Sequence, residues 1–295
     1  MLFRSLPETE PQHGRFDIAG AITSTLGVAS LVYGFVRAAS DGWSDSITVS
    51  AFIAGAALLA LFVAVELRAQ QPITPLRMFT SRERSSSYVA RLLLVGGMFG
   101  MFFFMTQFLQ GVRNYSPLKA GFAFLPMTVA LFAMVRVVPR VVSRIGAKRL
   151  LVVGEGLALV SMAWLSQITS GTQYWPQLLV PMVLLGLGMG VAFIPLTTAS
   201  LAGVAPRDAG AASGLVNVMQ QVGGALGLGI LVTVFGTSRR HAEQHPAAAL
   251  SASAQQHHDT AHAIASAFTG SAVFLALTFL VIVFAIRIRP SAEPA

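Results

Sequence analysis

Two ionisable side chains, Arg91 and Glu155, lie inside long apolar stretches of the sequence. A charged group is costly at the depth of a lipid bilayer, so each is a candidate functional site. Glu155 follows Lys148 by seven residues, which is about 10 Å along a helix. Its neighbours Gly154 and Gly156 let another helix approach, and a carboxyl group in such a place can carry a proton. A structural ion pair with an arginine of the preceding loop is the alternative role.

Arg91 lies about 7–9 Å from the inner edge of its predicted helix. Its long side chain can reach back to the inner membrane surface, which would leave it without a specific role. Arg91 and Glu155 enter the membrane from the same side and at similar depth. An ion pair between the two is therefore a further hypothesis.

Side-chain amides form a second group of candidates. Asn217, Gln220 and Gln221 occupy about one turn of a predicted helix, and Gln107 and Gln110 lie near the outer end of another. Amides in lipid seek partners, so interhelical hydrogen bonding is the expected role. The alternative is a polar cavity wall that contacts an amphipathic substrate.

Histidines near the C-terminal end raise the question of a metal site. They are His241, His245, His257, His258 and His262, accompanied by Asp259. The segment is long, rich in alanine and predicted to be exposed, so we expect adventitious metal binding rather than a closed ligand set. The sequence contains no cysteine, and no serine–histidine–aspartate, paired-carboxylate or phosphate-loop arrangement is recognisable. It therefore predicts no catalytic site, no cofactor and no enzyme.

Long membrane-spanning helices must position these residues. Hydrophobic residues make up 54% of the chain, charged residues only 11%, and the mean hydropathy is +0.68, which is outside the range of soluble globular proteins. Eight apolar segments are each long enough to cross a hydrocarbon core of about 30 Å as a helix. They are residues 17–36, 46–66, 86–107, 118–138, 147–168, 176–198, 212–235 and 266–287. The sequence predicts an all-α polytopic membrane protein.

Basic residues indicate the orientation of these helices. If the N-terminus is cytosolic, well over half of the 20 lysines and arginines lie in loops on the cytosolic side. Cytosolic loops carry this excess, so both termini should face the cytosol, with the protein in the plasma (inner) membrane. The net charge of +8 does not indicate nucleic-acid binding, because the basic residues are spread over helix ends that contact anionic lipid.

Loop lengths divide the chain into five parts. We expect a cytosolic segment at 1–16, a transmembrane hairpin at 17–66, a cytosolic loop at 67–85, a six-helix bundle at 86–287 and a cytosolic tail at 288–295. In the loop, Pro72 and Pro75 break helicity, and the basic residues after them suit a helix along the inner surface. Residues 236–265 form the only long outer loop, which we expect to be mobile because it lacks apolar bulk.

Pairs of glycines four residues apart mark faces on which helix backbones can meet closely. These pairs are Gly96 with Gly100, Gly186 with Gly190, and Gly223 with Gly227. A second glycine feature is the loop 139–149, in which four basic residues surround Gly146. The four are Arg140, Arg144, Lys148 and Arg149. Taken alone, this loop is a plain anchor to anionic lipid.

The loop 139–149 also resembles the signature loop of the major facilitator superfamily, Gly-x-x-x-Asp-Arg-x-Gly-Arg/Lys-Arg/Lys. Arg144, Gly146 and Lys148 match it, whereas Pro139 replaces the first glycine and Ser143 replaces the aspartate. The missing aspartate removes the charge-relay partner, as is usual in the copy that the C-terminal half carries. The resemblance implies that the basic loop acts in gating.

Further stretches resemble the fourteen-helix drug:proton antiporters of that superfamily. They are RFDIAGA at 15–21, FLQGVRNYSPLKAGFAFLP at 108–126, GLGMGVAFIPLTTASLAGVAPRDAGAASGLVN at 186–217 and NVMQQVGGALGLG at 217–229. Their order implies that the chain corresponds to helices 7–14, a linker hairpin plus the six-helix C-terminal bundle. The N-terminal six helices, with their antiporter motif, would be absent.

This resemblance implies proton-coupled efflux of drug-like or amphipathic small molecules, with the proton gradient as energy source. It places Arg91 on a cavity-lining helix, where it could compete with protons or hold an anionic group, and Glu155 on a peripheral helix. Transport would require a separate N-terminal half or a second copy. The alternative is a non-transporting membrane remnant or a subunit that stabilises a partner.

Overall fold

The computed structural model describes residues 17–69, 76–205, 208–244 and 251–286, and every regular element in these ranges is helical. The expected cytosolic segment 1–16 and tail 288–295 lie outside the described residues, as do Pro72 and Pro75. The described part of the loop 67–85 contains one 3-10 turn, Leu76–Phe79, in place of the expected surface helix, since the next helix already begins at Arg82.

Nine α-helices follow one another in the described ranges. They are α1 (Ile18–Asp41), α2 (Ser46–Glu66), α3 (Arg82–Gln107), α4 (Pro117–Ala123), α5 (Leu125–Ile145), α6 (Ala147–Leu165), α7 (Leu179–Ser200), α8 (Ala209–Gln244) and α9 (Ala252–Phe284). A π-helical turn extends α3 to Val112, and another precedes α7.

The predicted all-α membrane fold is confirmed. Each of the eight apolar segments corresponds to a helix, with α4 and α5 sharing one segment. Seven helical segments of the described chain are long and apolar enough to cross a membrane. The remaining one, α6, has 19 residues and carries Lys148, Arg149 and Glu155. These three charged residues set α6 apart from the other seven segments, and neighbouring helices bury the side chain of Glu155.

The first two helices form a hairpin. Gly27 lies against Leu59, and Gly55 lies against Leu31, so the two backbones run close together. At the tip, the Asp45 carboxylate accepts a hydrogen bond from the backbone N–H of Thr48 and caps α2. The Arg37 guanidinium donates to the same carboxylate at 2.8 Å and, together with that N–H, holds the pKa of Asp45 below its usual value.

The remaining helices share one apolar core. Helix α3 packs against α8 and α9, α6 packs against α7 and α9, and α5 packs against α7. The hairpin contacts this bundle mainly where α1 lies beside α8. Fully buried Phe104, Phe108 and Phe268 lie in this core.

The expected mobile outer loop 236–265 is wrong for its described part. Helix α8 continues to Gln244, and α9 begins at Ala252 with Ser251 as its N-cap. The cause is local: alanine favours helix, and Arg239 pairs with Glu243 one turn later at 3.0 Å. Residues 245–250 lie outside the described ranges.

We expect the amides of residues 256–265 to exchange with solvent at least about ten-fold more slowly than in a free chain, because they belong to a helix with buried residues such as Ala261 and Ile264. Hydrogen exchange followed by mass spectrometry on the protein in nanodiscs measures this directly. Exchange at the free-chain rate would contradict the helical assignment. Protected amides at the centre of α9 serve as the internal reference.

Candidate functional site

Arg91 is buried between helices rather than extended to the inner surface. It is 1% exposed, and its Nη2 donates a hydrogen bond to the hydroxyl of Thr197 on α7. Its guanidinium carbon lies 4.8 Å from the centre of the Phe193 ring, one turn earlier on the same helix. Arg91 therefore joins α3 to α7 through a hydrogen bond and a cation–π contact.

Glu155 is fully buried on α6, and neither carboxyl oxygen has a hydrogen-bond partner in the described part of the chain. The hypothesised ion pair with Arg91 is wrong, because that guanidinium is held by Thr197 and Phe193. The expected pair with a loop arginine is also absent among the described residues. Helix α7, which packs directly on α6, contains no charged residue that could replace it.

Close backbone contact surrounds Glu155. A Cβ on Gly154 would lie 2.6 Å from the carbonyl oxygen of Gly188, and a Cβ on Gly188 would lie 2.5 Å from the carbonyl oxygen of Gly154. The two helices therefore meet backbone to backbone one residue away from the buried carboxyl group. The sequence analysis did not predict a packing contact for Gly188, which is the middle glycine of the stretch GLGMG at 186–190.

The three predicted glycine pairs lie at two helix crossings. On α3, Gly96 faces Gly223 and Gly227 of α8, and a Cβ on Gly227 would lie 2.3 Å from the Gly96 Cα. On α7, Gly186 faces α5, where an added Cβ would lie 2.2 Å from the Met127 carbonyl oxygen. The second residue of each pair extends these contacts: Gly190 meets Leu131 and Met134, and Gly100 meets Leu231 and Ser271.

The candidate amides do not form the expected interhelical hydrogen bonds. Asn217, Gln221 and Gln110 are exposed, whereas Gln220 and Gln107 are half-buried. Within the described residues none of the five side-chain amides has a hydrogen-bond partner. Asn217 and Gln221 face α1 across an open cleft instead.

The basic loop joins the ends of three helices, α5, α6 and α9. Gly146 ends α5 and starts α6 with a φ of +88°, a left-handed conformation that glycine adopts without a steric cost. Lys148 donates to the carbonyl oxygen of Val283 at the end of α9 at 3.0 Å. Arg140 donates to the Arg136 carbonyl oxygen at 2.6 Å. Arg144 and Arg149 are exposed.

A second contact between helix ends was not predicted. Arg77 forms an ion pair with Asp208 at 2.7 Å, and Arg84 donates to the carbonyl oxygens of Ala202 and Gly203. These bonds join the start of α3 to the connection between α7 and α8. The sequence predicts that both segments lie on the same side of the membrane. That prediction does not indicate which residues of the two segments form bonds with each other.

Two of the histidines contact polar side chains, one on a residue beside it in the sequence and one across helices α8 and α9. The Nδ1 of His258 lies 3.2 Å from a carboxylate oxygen of the buried Asp259, and that of His262 lies 3.2 Å from the Ser238 hydroxyl. Within the described ranges no group of three or more histidine, aspartate or glutamate residues could hold a metal. His245 lies outside these ranges.

Replacing Thr197 by Val should lower the free energy of unfolding by about 1–3 kcal/mol, because the buried Arg91 guanidinium loses its acceptor. Thr198→Val is the matched control, since the Thr198 hydroxyl bonds only to its own helix at Ile194. Unfolding in detergent, followed by tryptophan fluorescence, measures both variants. In an Arg91→Leu background the effect of Thr197→Val should disappear; an unchanged effect there would contradict the contact.

Buried ionisable groups, long apolar helices and close glycine crossings define a multi-pass helical membrane protein. A solved structure of the nucleoside transporter NupG (D323A mutant) has the same fold, with a TM-score of 0.55, 14% sequence identity, and coverage of 91% of this chain and 83% of that chain. At this identity the likeness concerns the fold alone.

Residues 14–228 match the family model of the Major Facilitator Superfamily, and the chain belongs to this family. This match confirms the superfamily resemblance found in the sequence. The family is one of transporters rather than enzymes.

Two curated relatives carry informative names. The puromycin resistance protein pur8 of Streptomyces alboniger is 38% identical over 228 residues, which cover 75% of this chain and 44% of that protein. The cephamycin export protein CmcT of Amycolatopsis lactamdurans is 34% identical over 225 residues, covering 76% of this chain and 46% of that protein. The chain thus spans less than half the length of these relatives.

Proposed function

We propose that this chain is part of a membrane transporter that exports drug-like or amphipathic small molecules in exchange for protons. The observation that carries the proposal is the presence of two buried ionisable side chains, Arg91 and Glu155, within the spanning bundle of a Major Facilitator Superfamily member. Such residues mark substrate or ion pathways in membrane proteins. The relatives named for puromycin resistance and cephamycin export support the substrate class.

In this proposal Arg91 holds α3 and α7 together in one conformation, and breakage of its contact with Thr197 accompanies the change of conformation. Glu155 is the protonated group, because it has no partner that would stabilise its charged form within the described residues. The loop around Gly146 acts in gating through Lys148, which connects α6 with the end of α9.

We further propose that residues 17–66 act as a linker hairpin and residues 86–287 as one half of the transporter. The partner would be a separate N-terminal half or a second copy, and the assembly would lie in the plasma membrane with both termini in the cytosol. A role as a stabilising subunit that does not itself transport is the competing function.

The test uses everted membrane vesicles that contain this chain, alone or with the remaining N-terminal part of the puromycin resistance protein. With a proton gradient imposed, the vesicles should accumulate puromycin, and an uncoupler should abolish the accumulation. Glu155→Gln should reduce it to the level of vesicles without the chain, because an amide cannot bind and release the proton. Glu243→Gln, at an exposed ion pair with Arg239, should leave it unchanged.

Two outcomes would contradict the proposal. Absence of accumulation in both preparations, with the chain inserted in the membrane, would favour the non-transporting subunit. Full activity of Glu155→Gln would remove Glu155 from the proton pathway.

A further inference from the structure

Hydrogen bonds join the C-terminal halves of α1 and α8. The Thr233 hydroxyl donates to the carbonyl oxygen of Phe35 at 2.6 Å, and the Arg240 guanidinium donates to the carbonyl oxygen of Ala39. A Cβ added to Gly236 would lie 2.9 Å from that same Ala39 oxygen. These contacts allow little separation at the outer end, so α1 is held beside α8 as part of the bundle.

Beside these contacts the two helices leave an open cleft of about 800 Å³, lined by residues 24–36 of α1 and 217–225 of α8. This volume lies within the range of small-molecule sites in proteins. The middle of the cleft is apolar, with valines such as Val28 and Val222 on its two walls. Its polar groups are the hydroxyls of Ser24, Thr25 and Tyr33 on α1 and the amides of Asn217 and Gln221 on α8.

The two amides indicate what kind of molecule the cleft accepts. Asn217 and Gln221 are exposed and form no hydrogen bond to another described residue, although they lie in a membrane-spanning helix. An amide at this depth is costly without a partner. A lipid acyl chain in the cleft would leave both amides without partners, whereas a ligand with carbonyl or hydroxyl groups would satisfy them.

The charge of the lining restricts the ligand further. The residues around the cleft include no lysine, arginine, aspartate, glutamate or histidine. The buried arginine of the bundle, Arg91, is engaged with α7 and does not line it. A charged ligand would therefore find no compensating charge and would lose its hydration.

We propose that the cleft between α1 and α8 is a binding site for uncharged amphipathic small molecules that carry hydrogen-bonding groups. The hairpin then forms one wall of a ligand site in addition to connecting two parts of a transporter. That the bound compound is cargo rests on the proposed function, but its binding is tested without any transport.

Benzophenone is a suitable probe because it is uncharged, apolar and photoreactive, and it carries one carbonyl acceptor. The full chain in nanodiscs is irradiated with benzophenone or with a trimethylammonium derivative of it, and mass spectrometry locates the adducts. We expect benzophenone adducts to concentrate at residues 24–33 and 217–225. The cationic derivative should give weaker labelling of both segments.

The double variant Asn217→Leu, Gln221→Leu should reduce adduct formation in the cleft by about five-fold, the effect of losing one hydrogen bond of ordinary strength. Gln167→Leu, which removes an exposed amide after the end of α6, should leave it unchanged. Size-exclusion chromatography checks that both variants fold.

Three results would overturn the site. Adducts spread equally over lipid-facing residues of α2 and α5 would mean partition into the bilayer. Equal labelling by the cationic derivative would remove the selection against charge. Unchanged labelling of the double variant would make the cleft a groove for lipid chains. None of these results depends on transport, so failure of the site and failure of the exporter proposal are distinguishable.

Discussion

Direct contact between helix backbones is the constraint on which the rest of this structure depends. Lipid tails are as apolar as the side chains of the helices, so burial of apolar surface does little to hold membrane helices together. Close packing must supply the attraction instead, and it requires residues without side chains at the crossings. Gly96 with Gly227, Gly186 with Met127, and Gly154 with Gly188 provide three such crossings.

These crossings position the polar groups. The approach of α6 to α7 buries Glu155 without a partner in the described chain, and the fit of α3 into the bundle places Arg91 against Thr197. Hydrogen bonds between side chains and backbone then join further helices: Lys148 donates to the end of α9, and Thr233 donates to α1. The cleft beside Gln221 lies next to the part of α1 that bonds to α8 through the carbonyl oxygens of Phe35 and Ala39.

Much of the fold could be predicted from the sequence, because hydrophobic length is a strong signal. The eight apolar segments correspond to helices, and several local motifs identified the family before any geometry was known. The helix extensions on either side of residues 245–250 were not predicted, because an alanine-rich polar segment resembles a mobile loop. The features that favour helix there are the N-cap Ser251 and the ion pair between Arg239 and Glu243.

The candidate site was predictable only as a set of residue types. Sequence marks Arg91, Glu155 and the glycines as unusual for lipid, but it does not state which helices become neighbours. Thr197 is the partner of Arg91 and Gly188 is the partner of Gly154 because α7 crosses α3 and α6. Nothing in the sequence distinguishes Thr197 from other threonines as a hydrogen-bond partner. For the same reason an ion pair between Arg91 and Glu155 was reasonable from depth alone and wrong in the structure.

The measurement that tests the role of backbone contact most directly compares two glycines of the same helix. On α8, a Cβ at Gly227 would lie 2.3 Å from the Gly96 Cα, whereas a Cβ at Gly214 would meet nothing within 4 Å. Thermal unfolding in detergent should show that Gly227→Ala destabilises the protein by about 1–3 kcal/mol, because the backbone of α3 has to move away. Gly214→Ala should leave stability unchanged or raise it, since alanine favours helix over glycine. Equal stability of the two variants would contradict the account that glycine contacts hold this bundle together.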